Sequence, residues 1–186
     1  MVRKSLFLLC LFISLISKSV EAQKHLALII SGEYEKNLDI NKFNSVSETL
    51  WQYTFKTWEK LILNQKFNNE HVIVFYRNGN DWHDINPMLR NLLYDGSRYG
   101  LEKITDFPSD TVSINVVVNK LKESLQSNDS LTVYFLYNSS EITSSCPEMY
   151  LTSGSINTDL LISRLKQITP NCEVFWIATS LNSNEQ

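Results

Sequence analysis

Four short apolar runs, separated by segments of helical spacing, constrain this chain more than any other feature. The runs are Leu26 to Ile30, Val72 to Tyr76, Leu131 to Tyr137 and Glu173 to Ala178, rich in Val, Ile, Phe and Tyr and without strict alternation. Strands covered on both faces have this character. Between the runs, Trp51, Phe55, Trp58 and Ile62 recur at intervals of four, three and four. Ile114, Val117, Leu121 and Leu125 repeat this spacing, as do Leu161, Leu165 and Ile168, each set marking one apolar helix face. Ser45 with Glu48 has the form of a capping box, and Ser113 and Asn157 are candidate caps of the other two helices. The order is strand, helix, strand, long loop, helix, strand, short excursion, helix, strand. It predicts an α/β fold: a mostly parallel sheet with helices on both faces.

Active sites in such sheets lie at the carboxyl ends of the strands. That edge takes Gly32 onward, Arg77 to Asp84, Asn138 to Glu141 and Thr179 to Ser183, while His25, His71 and Cys172 each stand just before a strand, at the opposite edge. The segment from Asn78 to Ser109 carries Gly79, Pro87, Gly96, Gly100 and Pro108, which suits a functional loop better than a further element.

The first 22 residues read as a signal peptide: Arg3 and Lys4 give a basic start, Leu6 to Ile16 is almost wholly apolar, and Val20-Glu21-Ala22 offers a cleavage site. The apolar run falls short of the about 20 residues a membrane-spanning helix needs. Expected, then, are a mature start at Gln23, one domain over 23–186 without a membrane span, and a place in the secretory pathway, outside the cell or in a lysosomal or vacuolar lumen. Cleavage would move the net charge from 17 − 20 = −3 to 14 − 19 = −5, since Arg3, Lys4, Lys18 and Glu21 leave. A mildly acidic chain with scattered lysines offers nothing to nucleic acid or an anionic membrane. Cys146 and Cys172 remain as the mature thiols. An oxidising compartment invites a bond between them, but a strand of about six residues, roughly 20 Å, would separate them where a disulfide needs Cα atoms within about 7 Å. Asn128 and Asn138 each begin a glycosylation sequon.

Several strings in order resemble the legumain-like family of cysteine peptidases, which shares the caspase-like fold with the catalytic subunit of the GPI-anchor transamidase. HLALIISG at His25 to Gly32 is similar to the family's first strand and small-residue exit, and FNNEHVIVFY at Phe67 to Tyr76 to its second strand. Ile85-Asn86-Pro87 stands where the family often has Asp-Asn-Pro, followed by an Asp-Gly-x-x-Tyr-Gly stretch at Asp95 to Gly100. Leu131 to Tyr137 and Glu173 to Ile177 resemble the strands that carry the catalytic pair. The resemblance covers nearly the whole of 23–186, with the family's last strand expected to be missing.

In the family the third strand leads into His-Gly and the fourth into Glu-Ala-Cys. Here TVYFLYNSS at Thr132 to Ser140 places Ser139 at the histidine position, and VFWIATS at Val174 to Ser180 places Ser180 at the cysteine position and Ala178 at the pocket glutamate. A hydroxyl is no base near neutral pH, and the family's chemistry needs a thiolate. The family's Asn-Tyr-Arg-His corresponds to Glu48-Thr49-Leu50-Trp51, so the arginine that grips the substrate side chain is Leu50 and Glu48 keeps a capping role. Glu48, Leu50 and Ala178 are thus the expected remnants of the substrate pocket.

Other candidates are weaker. His83 is the histidine on the carboxyl edge, but a Ser180–His83 pair has no orienting group or oxyanion donors in the sequence. Cys172 is at the wrong edge for a nucleophile, and Cys146 has no basic neighbour in sequence. Trp51, Phe55 and Trp58 suit core packing, while Trp82 and Tyr99 suit exposed contacts or a cover for the sheet edge. The resemblance with its substitutions implies a non-catalytic protein, without metal or cofactor, that binds a peptide or an active relative. The alternative is an asparaginyl cysteine endopeptidase, or a transamidase-like enzyme, represented here by an incomplete or wrongly assembled gene.

Overall fold

The computed structural model describes residues 23–32, 40–82, 103–138 and 148–179. Its strands are β1 (His25–Ser31), β2 (Val72–Phe75), β3 (Ser130–Asn138), β4 (Glu148–Tyr150), β5 (Ser155–Asn157) and β6 (Asn171–Thr179). The α-helices are α1 (Ile40–Glu59), which continues as a π-helical turn over Lys60–Asn64, α2 (Thr111–Ser124) and α3 (Thr158–Ile168). Strands β2, β1, β3 and β6 form one sheet in that order, every pair parallel, and β4 and β5 make a separate antiparallel hairpin.

The two-residue period of a strand divides β1 between two cores. Ala27 and Ile29 face one side, packing with Val72 and Val74 against Trp51, Phe55, Trp58, Leu61 and Ile62 of α1 and its π-helical turn. Leu28 and Ile30 face the other side, with Val133 and Phe135, against Ile114, Val117 and Leu121 of α2, Leu161 and Leu165 of α3, and Met149 of the hairpin. Helices therefore cover both faces, as the apolar runs predict. Trp51, Phe55 and Trp58 are core residues, each burial of this size contributing about 2 kcal/mol. Among the described residues no helix is long and apolar enough to cross a membrane.

Three sequence expectations need correction. Helix α1 runs from Ile40, so Ser45 and Glu48 lie inside it; a capping box requires its serine outside the helix, and Glu48 is an exposed mid-helix residue. Helix α2 is capped by Asp110, whose carboxylate accepts the Ser113 N–H at 2.7 Å. A carboxylate at this point satisfies an orphan donor and faces the positive end of the helix dipole, leaving Ser113 in the first turn. Strand β6 starts at Asn171 and β1 at His25, so Cys172, opposite Leu131, and His25, opposite Ser130, are strand residues rather than residues before a strand. Asn157 does cap α3, accepting from the Leu160 N–H at 2.8 Å.

The amino edge is closed by Asp129, which is buried just before β3. Its carboxylate accepts the N–H of Lys24 and of Gln126, both at 2.8 Å, and its carbonyl accepts the Thr169 hydroxyl at 2.6 Å. His25 hydrogen-bonds Ser130 beside it. One residue thus joins the entrances of β1 and β3 to the ends of α2 and α3.

Candidate functional site

The carboxyl edge is built from the exits of four parallel strands. Strand β1 leaves through Ser31 and Gly32. The buried Ser31 hydroxyl pairs with Thr54 of α1 at 2.7 Å, and the Ser31 carbonyl accepts the Ser109 hydroxyl at 2.6 Å. A side chain on Gly32 would place its Cβ 2.6 Å from Met149 Cγ and 3.0 Å from the Tyr150 carbonyl oxygen. The small-residue exit is therefore where the β4–β5 hairpin packs down, a contact the sequence order does not reveal.

Beyond β2, the flanks of the long loop are pinned together. Asp81 accepts the N–H groups of Ile104 and Thr105, each at 3.0 Å, and the Thr105 hydroxyl. The returning strand of chain bonds to the outer edge of β2: Asp106 N–H and Phe107 N–H reach the Val74 carbonyl at 3.0 and 3.2 Å, and the Asp106 carboxylate accepts the Val74 N–H at 2.9 Å. Burial pushes the Asp106 carboxyl up; the Val74 amide and the Lys103 charge lower it, and Asp81 adds to the rise. This covers an edge that would otherwise invite pairing. Arg77, just past β2, has a backbone φ of 41°, a left-handed conformation that costs a non-glycine residue about 1 kcal/mol or more. Its guanidinium lies 4.6 Å from the Trp82 ring centroid, an arrangement that offsets part of that cost. Trp82 is half-buried against the α1-side core. It covers the core with one side of its ring and keeps the rest at the surface, so both sequence readings stay open.

Strands β3 and β6 run side by side to the same point. Tyr137 pairs with Ala178 and Asn138 with Thr179, and the buried Thr179 hydroxyl reaches the Tyr137 carbonyl at 3.4 Å. Ser139 and Ser180 are the next residues of each strand and lie outside the described residues, as do His83, Tyr99 and Cys146.

The three expected pocket remnants do not converge. Leu50 is 3% exposed and packs in the α1-side core, its carbonyl accepting the Thr54 hydroxyl at 2.8 Å. Glu48 is exposed on α1. Ala178 is exposed and shares the strand parity of Val174 and Trp176, which pack on the opposite, α2–α3 side. Leu50 thus serves as a core residue, a role its position in the helical apolar stripe would have signalled.

The described histidines, His25 and His71, stand at the amino ends of β1 and β2. Cys172, at the amino end of β6, has no disulfide partner among the described residues, and burial pushes its thiol up against a smaller opposing pull from Lys166. A thiol held protonated there is a poor nucleophile. On the described carboxyl edge the Ser31, Ser109 and Thr179 hydroxyls are buried and hydrogen-bonded within the fold, while Arg77 and Trp82 are partly exposed, a cation and a ring placed to meet a ligand by charge and stacking.

Comparison with family models, with curated proteins and with solved structures finds no match to this chain.

Proposed function

We propose that this chain is a non-catalytic relative of the legumain-like peptidases, carried in the secretory pathway, that binds a peptide or an active relative at the carboxyl edge of its sheet. The observation that supports it is the pairing of Asn138 with Thr179. Ser139 and Ser180 follow these two residues in sequence, at the positions that hold the histidine and the cysteine in the family the chain resembles. Both are serine. Neither hydroxyl supplies a base or a thiolate at neutral pH, and the described thiol and imidazoles belong to the other end of the sheet.

A binding role draws on what this edge retains. Asp81, Ser109 and the Arg77–Trp82 stack fix the loop neck beside the strand exits, and a pre-ordered surface loses little entropy when a ligand docks. Fluorescence anisotropy with asparagine-containing peptides, and a titration against an active legumain-type peptidase, test this reading. Saturable binding to one of them, weakened about tenfold or more by Trp82→Ala, supports it. Absence of binding to both, with the chain folded, contradicts it.

A further inference from the structure

The two sequons lie in different structural settings. Asn128 is exposed, in the turn between α2 and β3 that Asp129 N–H closes onto the Gln126 carbonyl at 3.1 Å. Asn138 ends β3, an inner strand, with its backbone in register with Thr179 of β6. A glycan is bulky and needs solvent on its side of the chain; a turn at the rim of the sheet provides this without disturbing any strand. We propose that Asn128 is N-glycosylated and that Asn138 is not, an inference that rests on the proposed passage through the secretory pathway.

In the transfer, the Asn128 side-chain nitrogen bonds to the anomeric carbon of an oligosaccharide carried on a lipid pyrophosphate. The carbon–oxygen bond to the pyrophosphate breaks, the lipid pyrophosphate leaves, and the amide gives up one proton to the transferase. The same sequon also forms the amino-edge closure: the Asp129 carboxylate holds Lys24 and Gln126, Ser130 N–H donates to the Lys24 carbonyl at 2.9 Å, and the Ser130 hydroxyl pairs with His25. Once β1 and β3 have paired, Ser130 is committed to these partners and the segment cannot be drawn out for a transferase. Modification of Asn128 therefore precedes the pairing of β1 with β3, whereas a chain modified at Asn138 would have to carry the glycan into the last β3–β6 pair, so the chains that fold carry none there. The finished sugar stands at the amino edge, with the sheet between it and the Asn138–Thr179 edge, leaving the binding edge uncovered.

The test is expression of the full chain in a eukaryotic secretory host, followed by peptide N-glycosidase treatment and mapping of the N-terminus and of the peptide containing Asn128. The expected result is one enzyme-sensitive band shift, kept in Asn138→Gln, lost in Asn128→Gln, and not acquired when the folded, unglycosylated chain is exposed to transferase afterwards. Asn128 has no positive φ, so glutamine is accommodated in the turn. A shift that survives Asn128→Gln overturns the proposal, as does a secreted chain without any shift. To separate the site from the secretory reading, residues 23–186 are also placed behind a leader of proven function. No shift there refutes the site; a shift there, with none from the native chain, refutes the secretory reading and with it modification of the natural protein.

Discussion

Asn138 and Thr179 face each other as the last paired residues of β3 and β6. Ser139 and Ser180 follow these two residues in sequence and lie outside the described residues. The proposed loss of catalysis concerns side-chain chemistry on a scaffold that still has the order a catalytic pair needs.

Asp129 is expected to make the fold sensitive to acid. Burial pushes its carboxyl up, but the amides of Gln126 and Lys24 and the charges of Lys24 and His25 outweigh this, and the group ends below its usual value. A depressed carboxyl contributes stability that is complete above its unfolded pKa of about 3.9 and is lost as pH falls through the lower folded value. Denaturant melts should show this loss in the wild-type chain and a flatter acid limb in Asp129→Asn. Asp129→Ala, which leaves two amides without their acceptor, should cost about 2–4 kcal/mol at neutral pH.

Two core tryptophans should respond differently to the same change. Trp58 Nε1 donates to Asn69 Oδ1 at 3.2 Å, whereas Trp51 Nε1 is buried and, among the described residues, has no hydrogen-bond partner. Phenylalanine removes a satisfied group at one site and an unsatisfied one at the other. Chemical denaturation should find Trp58→Phe more destabilising than Trp51→Phe by about 1 kcal/mol; the reverse order would show that lost volume decides instead.

Gly32 should tolerate no side chain, because the hairpin lies against it. Met149 can move, but the Tyr150 carbonyl belongs to the β4 backbone. Gly32→Val should therefore cost about 1–3 kcal/mol and loosen the hairpin, read as faster amide exchange at Met149 and Leu151. Unchanged exchange there would disprove the packing role.

The sheet and the helix faces were legible in the sequence because burial of strands and helices imposes periods of two and 3.6 residues on apolar side chains. Helix starts were less so. Serine suits a cap at positions 45 and 113, but Asp110 lies nearer the true start of α2, and Ile40, Phe43, Val46 and Leu50 already carry helical spacing through the first turns of α1. The β4–β5 hairpin leaves no such pattern because its strands have only three residues each. At the candidate site, strand exits can be read from topology, whereas the resemblance puts Leu50 at a pocket position and the structure puts it in the α1-side core. The fixing of Asp81 to Ile104 and Thr105 across the long loop leaves no periodic trace in the sequence.

Restoring the catalytic pair alone should not restore activity. Ser139→His with Ser180→Cys supplies a base and a thiol, but Leu50 faces the core and Ala178 has no charge, so neither of these expected pocket positions offers a group to grip an asparagine or aspartate side chain. Turnover of asparaginyl peptides by this double variant should stay near background. A large rescue, at the level general acid–base help provides, about 10² to 10⁴ in rate, would mean that the pocket survives elsewhere.

The most direct measurement is turnover of fluorogenic asparaginyl and aspartyl peptides by the purified, unmodified chain across acid and neutral pH. No cleavage above that of a Ser180→Ala control is expected, since Ser139 and Ser180 provide neither base nor thiolate. Cleavage by the unmodified chain that Ser180→Ala abolishes would contradict it and establish a working peptidase.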